Sequence, residues 1–280
     1  MVRILCLHGS GSSGDIFESQ TSTLRALLPR HWEWCFYNAE IECGPLPQLE
    51  GLYPGPFYTA VALPSLKMIQ RVHAWIREII EEDGPFDGLL GFSAGGYVPI
   101  SLMLHHQKYN PTSAPPFRFL VLMGGNLPYS ADPNEGIEVT DWISFHRMPP
   151  ADLSVIKAFN TWAPHHQDQR PGVRDLTGIN PILHCIVDDW VGTEYNRELL
   201  VTYLYHPDAT KTRVKVPTLH ILGRQDDVYE GGKKLMELCE KRNRMEYHFD
   251  GGHEIPRNRA DLVKIAGMFE KVVQSSLMLS

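Results

Sequence analysis

An α/β fold, with a mostly parallel central sheet flanked by helices, is predicted by three observations on the chain. Short apolar runs alternate with amphipathic helical stretches from one end to the other, the pattern of strands joined by crossover helices. Several of these runs end in glycine-rich or acidic turns, where α/β proteins build their sites. Finally, Gly91-Phe92-Ser93-Ala94-Gly95 stands between a strand pattern and a helix pattern.

The elements follow in order. A strand is expected near 2–7 and a helix near 15–28, joined by a glycine–serine loop. A second strand is expected near 32–38. The helix near 64–82 shows a buried stripe at Leu66, Ile69, Val72, Trp75, Ile76, Ile79 and Ile80, spaced by three and four. Strands near 86–91 and 117–123 bracket a helix near 95–107, with Val98, Ser101, Leu102 and His105 on one side. Strands near 216–222 and 244–249 bracket a helix near 230–241. The last helix, near 259–276, starts after Asn258 as cap and carries Leu262, Ile265, Ala266, Phe269 and Val272 on one stripe.

A serine at a sharp strand-to-helix corner must hold an unfavourable backbone conformation, and its neighbours two residues away must lack side chains. Gly91 and Gly95 meet that need. The helix behind the serine points its first N–H groups at any negative charge that develops on a substrate. A nucleophilic serine also needs a base, and the base an orienting acid. Asp226 follows the strand ending at Gly223, and His253 lies in the loop Asp250-Gly251-Gly252-His253 after the last strand. Asp226 is preferred to Asp227 because it is the third residue after Gly223; Asp227 is the fallback. Each partner alone reads as an ordinary surface residue, His253 being one of 13 histidines. Their concurrence, in the order serine, acid, histidine and each after a strand, selects the candidate triad Ser93, Asp226 and His253.

The chain resembles the fungal family of serine hydrolases with the α/β-hydrolase fold that includes the lovastatin-pathway thioesterase and related polyketide-releasing hydrolases. The resemblance rests on Leu5-Cys6-Leu7-His8-Gly9, Gly88-Leu89-Leu90-Gly91-Phe92-Ser93, Pro217-Thr218-Leu219-His220 with Gly223 and Asp226, and Gly251-Gly252-His253. Ala94 stands where the family often has glutamine, and Asn38-Ala39-Glu40 where Asp-Ala-Pro is commoner. The resemblance implies hydrolysis of an acyl ester or thioester without cofactor or metal. A polyketide or other apolar acyl chain, possibly held on a carrier protein, is the expected substrate. A general carboxylesterase and an enzyme that cyclises its acyl intermediate remain alternatives. Backbone N–H groups of Ser10 and Ala94 are the expected oxyanion donors.

A rival class comes from Gly9-Ser10-Gly11-Ser12-Ser13-Gly14, which matches a dinucleotide-binding fingerprint, with Glu40 in the place of the ribose acid. That reading leaves Ser93, Asp226 and His253 unexplained. Composition is that of a folded enzyme, 43% hydrophobic and 21% charged. A net charge of −7 argues against nucleic acid as partner. No apolar run approaches the roughly 20 residues of a membrane span. With no signal peptide evident, a cytoplasmic protein is expected, its cysteines (Cys6, Cys35, Cys43, Cys185 and Cys239) reduced. The doublets His105-His106 and His165-His166 carry no metal-ligand spacing. Oligomeric state is not readable.

The whole chain, 1–280, is expected to form a single domain with two elaborations. The first, 41–63, is rich in proline and glycine, and Tyr53 and Phe57 are its candidate substrate contacts. The second, 126–215, is expected to be a cap, with a helical stretch over 194–203. Its Trp142, Trp162 and Trp190 are candidates for an apolar acyl pocket, or for a small core or subunit contact of the insertion itself.

Overall fold

Residues 1–145, 148–165 and 200–278 are described in the computed structural model. Six strands form one parallel sheet: β1 (Arg3–Leu7), β2 (Glu33–Tyr37), β5 (Gly88–Phe92), β6 (Phe119–Met123), β10 (Thr218–Gly223) and β11 (Arg244–Phe249). Their order across the sheet is β11-β10-β6-β5-β1-β2. All neighbouring pairs are parallel. All six strands match the sequence expectation to within about two residues at each end, the usual fraying of such boundaries.

Because strand side chains alternate, each strand feeds two cores. Leu5, Leu7, Leu120 and Leu122 face one side, with α2 (Leu66–Asp83), α3 (Ala94–Tyr109) and α6 (Tyr229–Glu237). Ile4, Cys6, Val121 and Met123 face the other, with α1 (Gly14–Arg25) and α7 (Arg259–Met278). The expected stripe of α2 is buried at Ile69, Val72, Trp75, Ile76 and Ile79. Side-chain oxygens satisfy the helix starts, as Ser13 accepts from Ile16 N–H, Ser65 from Met68 N–H and Asn258 from Ala260 N–H.

The first elaboration holds an antiparallel pair, β3 (Ile41–Cys43) and β4 (Phe57–Thr59), where only loop was expected. In the second, β7 (Tyr129–Ser130), β8 (Ile137–Glu138) and β9 (Tyr203–Leu204) form a small sheet in the order β7-β9-β8. It is accompanied by α4 (Thr140–Phe145) and α5 (Leu153–Trp162). The helix expected over 194–203 falls mostly outside the described residues. Its described end, 200–203, is turn and strand instead, because Thr202 and Tyr203 are tied to Thr140 and to Glu138 and Ser130 opposite.

Two buried histidines tie stability to pH. His73 on α2 and His220 on β10 are each 1% exposed. Burial, with nearby positive charge, pushes both down to about 3. Each bonds a hydroxyl, His73 Nε2 to Ser101 at 2.9 Å and His220 Nε2 to Thr218 at 3.0 Å. A histidine whose folded value is depressed stabilises fully above its unfolded value, and loses that contribution as pH falls toward the folded one. Going from about pH 7 to pH 5 should therefore cost about 2 kcal/mol for each group. Urea unfolding at the two pH values should show a clearly lower midpoint in acid; equal midpoints would contradict this.

Candidate active site

The β5–α3 corner places Ser93 at φ +53° and ψ −114°, the one non-glycine residue with positive φ among the described residues. Such a conformation is costly and persists where its surroundings enforce it. Ser93 N–H donates to Met123 O at 2.9 Å, and its carbonyl accepts from Gly96 N–H at 2.9 Å. Glycine is required on both flanks. A Cβ at Gly91 would overlap the Gly95 carbonyl, and one at Gly95 would overlap the Leu7 carbonyl.

His253 arrives from the loop after β11. Its ring lies 5.1 Å from that of Phe92, and on another side it meets Gly124, where a Cβ would come within 3.2 Å of His253 Cε1. His253 Nε2 is 2.9 Å from Ser93 Oγ, and Nδ1 is 2.8 Å from Asp226 Oδ2. An ionised carboxylate only accepts, so Nδ1 carries the proton and Nε2 presents its lone pair to the Ser93 hydroxyl. The Asp226 side chain is 3% exposed and also accepts Val228 N–H at 2.9 Å through Oδ1. Asp227 next to it is exposed and has no part in this line. The acid and histidine loops are held together by backbone bonds, Arg224 N–H to Phe249 O and Gln225 N–H to Gly251 O. That close approach explains Gly223, where a Cβ would overlap the Gly251 and Gly252 carbonyls.

The loop after β1 forms the facing wall. His8 is buried; its Nε2 accepts Ala39 N–H at 3.0 Å, so Nδ1–H donates to Gly9 O at 2.7 Å. Burial holds His8 below its ordinary value, which keeps the lone pair that Ala39 needs. Gly9 lies directly against Ser93, since a Cβ there would come within 2.9 Å of Ser93 Cβ. The rest of the loop is covered by the β3–β4 hairpin. Gly11 N–H donates to Tyr58 O, Tyr58 N–H to Ser12 O and Leu46 N–H to Gly11 O. Gly14 N–H is taken by Asn38 Oδ1 at 2.7 Å, and Glu40 is ion-paired with Arg71. Gly11 N–H, Gly14 N–H and Glu40, three of the groups a dinucleotide would need, are thus engaged within the protein.

Ser10, Ser93, Ala94, Asp226 and His253 all border one cleft of about 1030 Å³. Its wall includes the aliphatic side chains of Leu46, Leu49, Leu63, Leu127, Ile143 and Leu200. Tyr53 stands on this wall, and the aliphatic residues beside it escaped notice in the sequence because single leucines in loops carry no periodic signal. Phe57, Trp142 and Trp162 are not on it. Phe57 packs on the main core. Trp142 and Trp162 both stack on Phe159, with ring centroids at 4.7 and 5.4 Å, and Trp142 Nε1–H donates to Met148 O. They form an aromatic cluster on α4 and α5, with Trp142 partly buried and Trp162 exposed, and neither lines the cleft. Trp190 lies outside the described residues.

A sequence profile described as Serine hydrolase (FSH1) matches residues 1–265. The chain belongs to this serine hydrolase family. Relatives of this serine hydrolase include Esterase alnB of Emericella nidulans, 27% identical over 94% of this chain and 93% of that one. Hydrolase FUB4 of Fusarium oxysporum f. sp. lycopersici is also 27% identical, over 98% and 99% of the two chains. Among solved structures, a monoacylglycerol lipase of Paleococcus ferrophilus superposes with a TM-score of 0.51 at 15% identity, covering 98% of this serine hydrolase and 94% of the lipase. That likeness concerns the α/β-hydrolase fold alone. Among the described residues, no helix of the hydrolase is long and apolar enough to cross a membrane.

Proposed function

We propose that Ser93, His253 and Asp226 are the catalytic triad of this serine hydrolase, and that it cleaves the ester or thioester of a large apolar acyl group. The observation that carries the reading is the unbroken hydrogen-bonded line from Asp226 through His253 to Ser93. His253 Nε2 takes the Ser93 proton as Oγ attacks the acyl carbon. Asp226 holds the tautomer and stabilises the imidazolium. The N–H groups of Ser10 and Ala94 face the negative oxygen. The imidazolium returns its proton to the departing alcohol or thiol, leaving acyl-Ser93, and a water deprotonated by His253 then frees the acid. A fluorophosphonate probe should modify Ser93 alone, read by peptide mapping; labelling elsewhere with Ser93 untouched would overturn the assignment.

The aliphatic part of the cleft wall supports the substrate class, and the names esterase and hydrolase carried by the relatives accord with it. A carrier-bound polyketide is the leading substrate in this reading. Segment 126–215 acts in this reading as a cap, since Leu127, Ile143, Met148 and Leu200 supply part of the wall. Each buried methylene is worth about 0.8 kcal/mol, so three more in the acyl chain should raise kcat/KM by roughly 50-fold. Tyr53→Ala and Leu63→Ala should flatten that slope. Trp142→Ala should instead lower the melting temperature and slow every substrate alike. A flat acyl-length profile in the unmodified enzyme would remove the apolar-acyl reading.

A further inference from the structure

We infer that the Ser10 side chain is itself a catalytic residue, a hydroxyl donor to the oxyanion, and that the buried Thr59 positions it. The inference rests on the triad reading above and adds a side-chain donor to its backbone ones. Ser10 follows Gly9, which lies against Ser93, and both border the cleft beside the nucleophile. Ser10 Oγ is 2.9 Å from Thr59 Oγ1. Thr59 is 0% exposed, and its Oγ1 also accepts Val61 N–H at 3.3 Å and lies 3.1 Å from Val61 O.

Each hydroxyl has one proton, so the pair has two self-consistent settings. In the resting setting Ser10 O–H donates to Thr59 Oγ1, and Thr59 O–H donates to Val61 O. When negative charge grows on the substrate oxygen, Ser10 O–H turns to it and Thr59 O–H swings to Ser10 Oγ. Val61 N–H goes on donating to Thr59. No covalent bond breaks and no proton changes owner; two hydroxyls rotate, and the Thr59 hydrogen bond to Val61 O is exchanged for one to Ser10 Oγ. The donor is thus satisfied in the ground state and released to the charge in the transition state, the condition for lowering the barrier rather than merely binding substrate. The frame is rigid enough to serve this, because the strand carrying Thr59 is bonded to the Ser10 loop through Gly11 N–H to Tyr58 O and Tyr58 N–H to Ser12 O.

The test is a double-mutant cycle on purified full-length enzyme, reading kcat, KM, melting temperature and the affinity of phenylboronic acid as oxyanion mimic. Ser10→Ala should lower kcat on the order of 10²-fold at unchanged KM and weaken the boronate in parallel, whereas Ser10→Thr should retain most activity. Thr59→Val should lower kcat in the parent but not in the Ser10→Ala background, and Thr59→Ser should restore it. A Ser10→Ala enzyme with kcat within twofold of the parent would overturn the inference, as would an equal Thr59→Val loss in both backgrounds. Ser93→Ala run alongside separates the two levels. If it is inactive while Ser10→Ala is fully active, only the Ser10 donor falls; if it remains active, the triad reading falls with it.

Discussion

Ser93→Ala is expected to lose turnover of esters and thioesters on the order of 10⁶-fold, with any residue of catalysis coming from the oxyanion donors and substrate binding alone. The size follows from the arrangement. His253 Nε2 has the Ser93 hydroxyl at 2.9 Å and, among the described residues, no other serine within its bonded line to inherit the attack. The variant should fold as the parent does. Alanine removes one oxygen from a corner whose φ is fixed by Gly91, Gly95 and the Ser93 N–H to Met123 O bond rather than by the hydroxyl. An unchanged melting temperature with abolished activity is the expected pair of results. Activity near the parent's rate would end the assignment of the nucleophile.

Asp226→Asn should lower kcat by about 10⁴-fold. Asp226 Oδ1 accepts Val228 N–H, so the amide oxygen of asparagine is drawn to that side and its NH₂ group faces His253 Nδ1. Nδ1 must then accept, the proton moves to Nε2, and the lone pair needed to receive the Ser93 proton is gone. Asp227→Asn should change kcat by less than about threefold, because its side chain is exposed and outside that line. Steady-state kinetics on both variants decides between them. A mild Asp226→Asn and a severe Asp227→Asn would transfer the orienting role to Asp227.

The parallel sheet was legible because buried strands leave contiguous apolar runs, and because helical stretches, some with a clear three–four stripe, alternate with most of them. The Ser93 corner was legible for a steric reason: Gly91 and Gly95 mark backbone approaches that no side chain survives. Asp226 and His253, the candidate acid and base, stood out by their positions after Gly223 and Gly252, where two loops touch. The β3–β4 hairpin was not legible, since three-residue strands are too short to show alternation. The tryptophans misled for another reason. Composition says that large aromatics seek apolar contacts, and it is silent on which; Trp142 and Trp162 stack on Phe159, off the cleft lining, and Trp162 is left exposed. The glycine–serine loop matched a phosphate-binding pattern because both uses need a backbone free of side chains. What separates them is the partner, here the Tyr58 strand and Ser93 rather than a phosphate.

Rapid-quench intact-mass spectrometry with a graded panel of acyl thioesters tests the central claim most directly, since it observes the covalent step itself. The account predicts a transient adduct of the acyl mass on the enzyme, mapped to Ser93, absent in Ser93→Ala, and accumulating faster as the acyl chain lengthens. Product released at the parent's rate with no acyl adduct at any time, or an adduct that persists in Ser93→Ala, would contradict it.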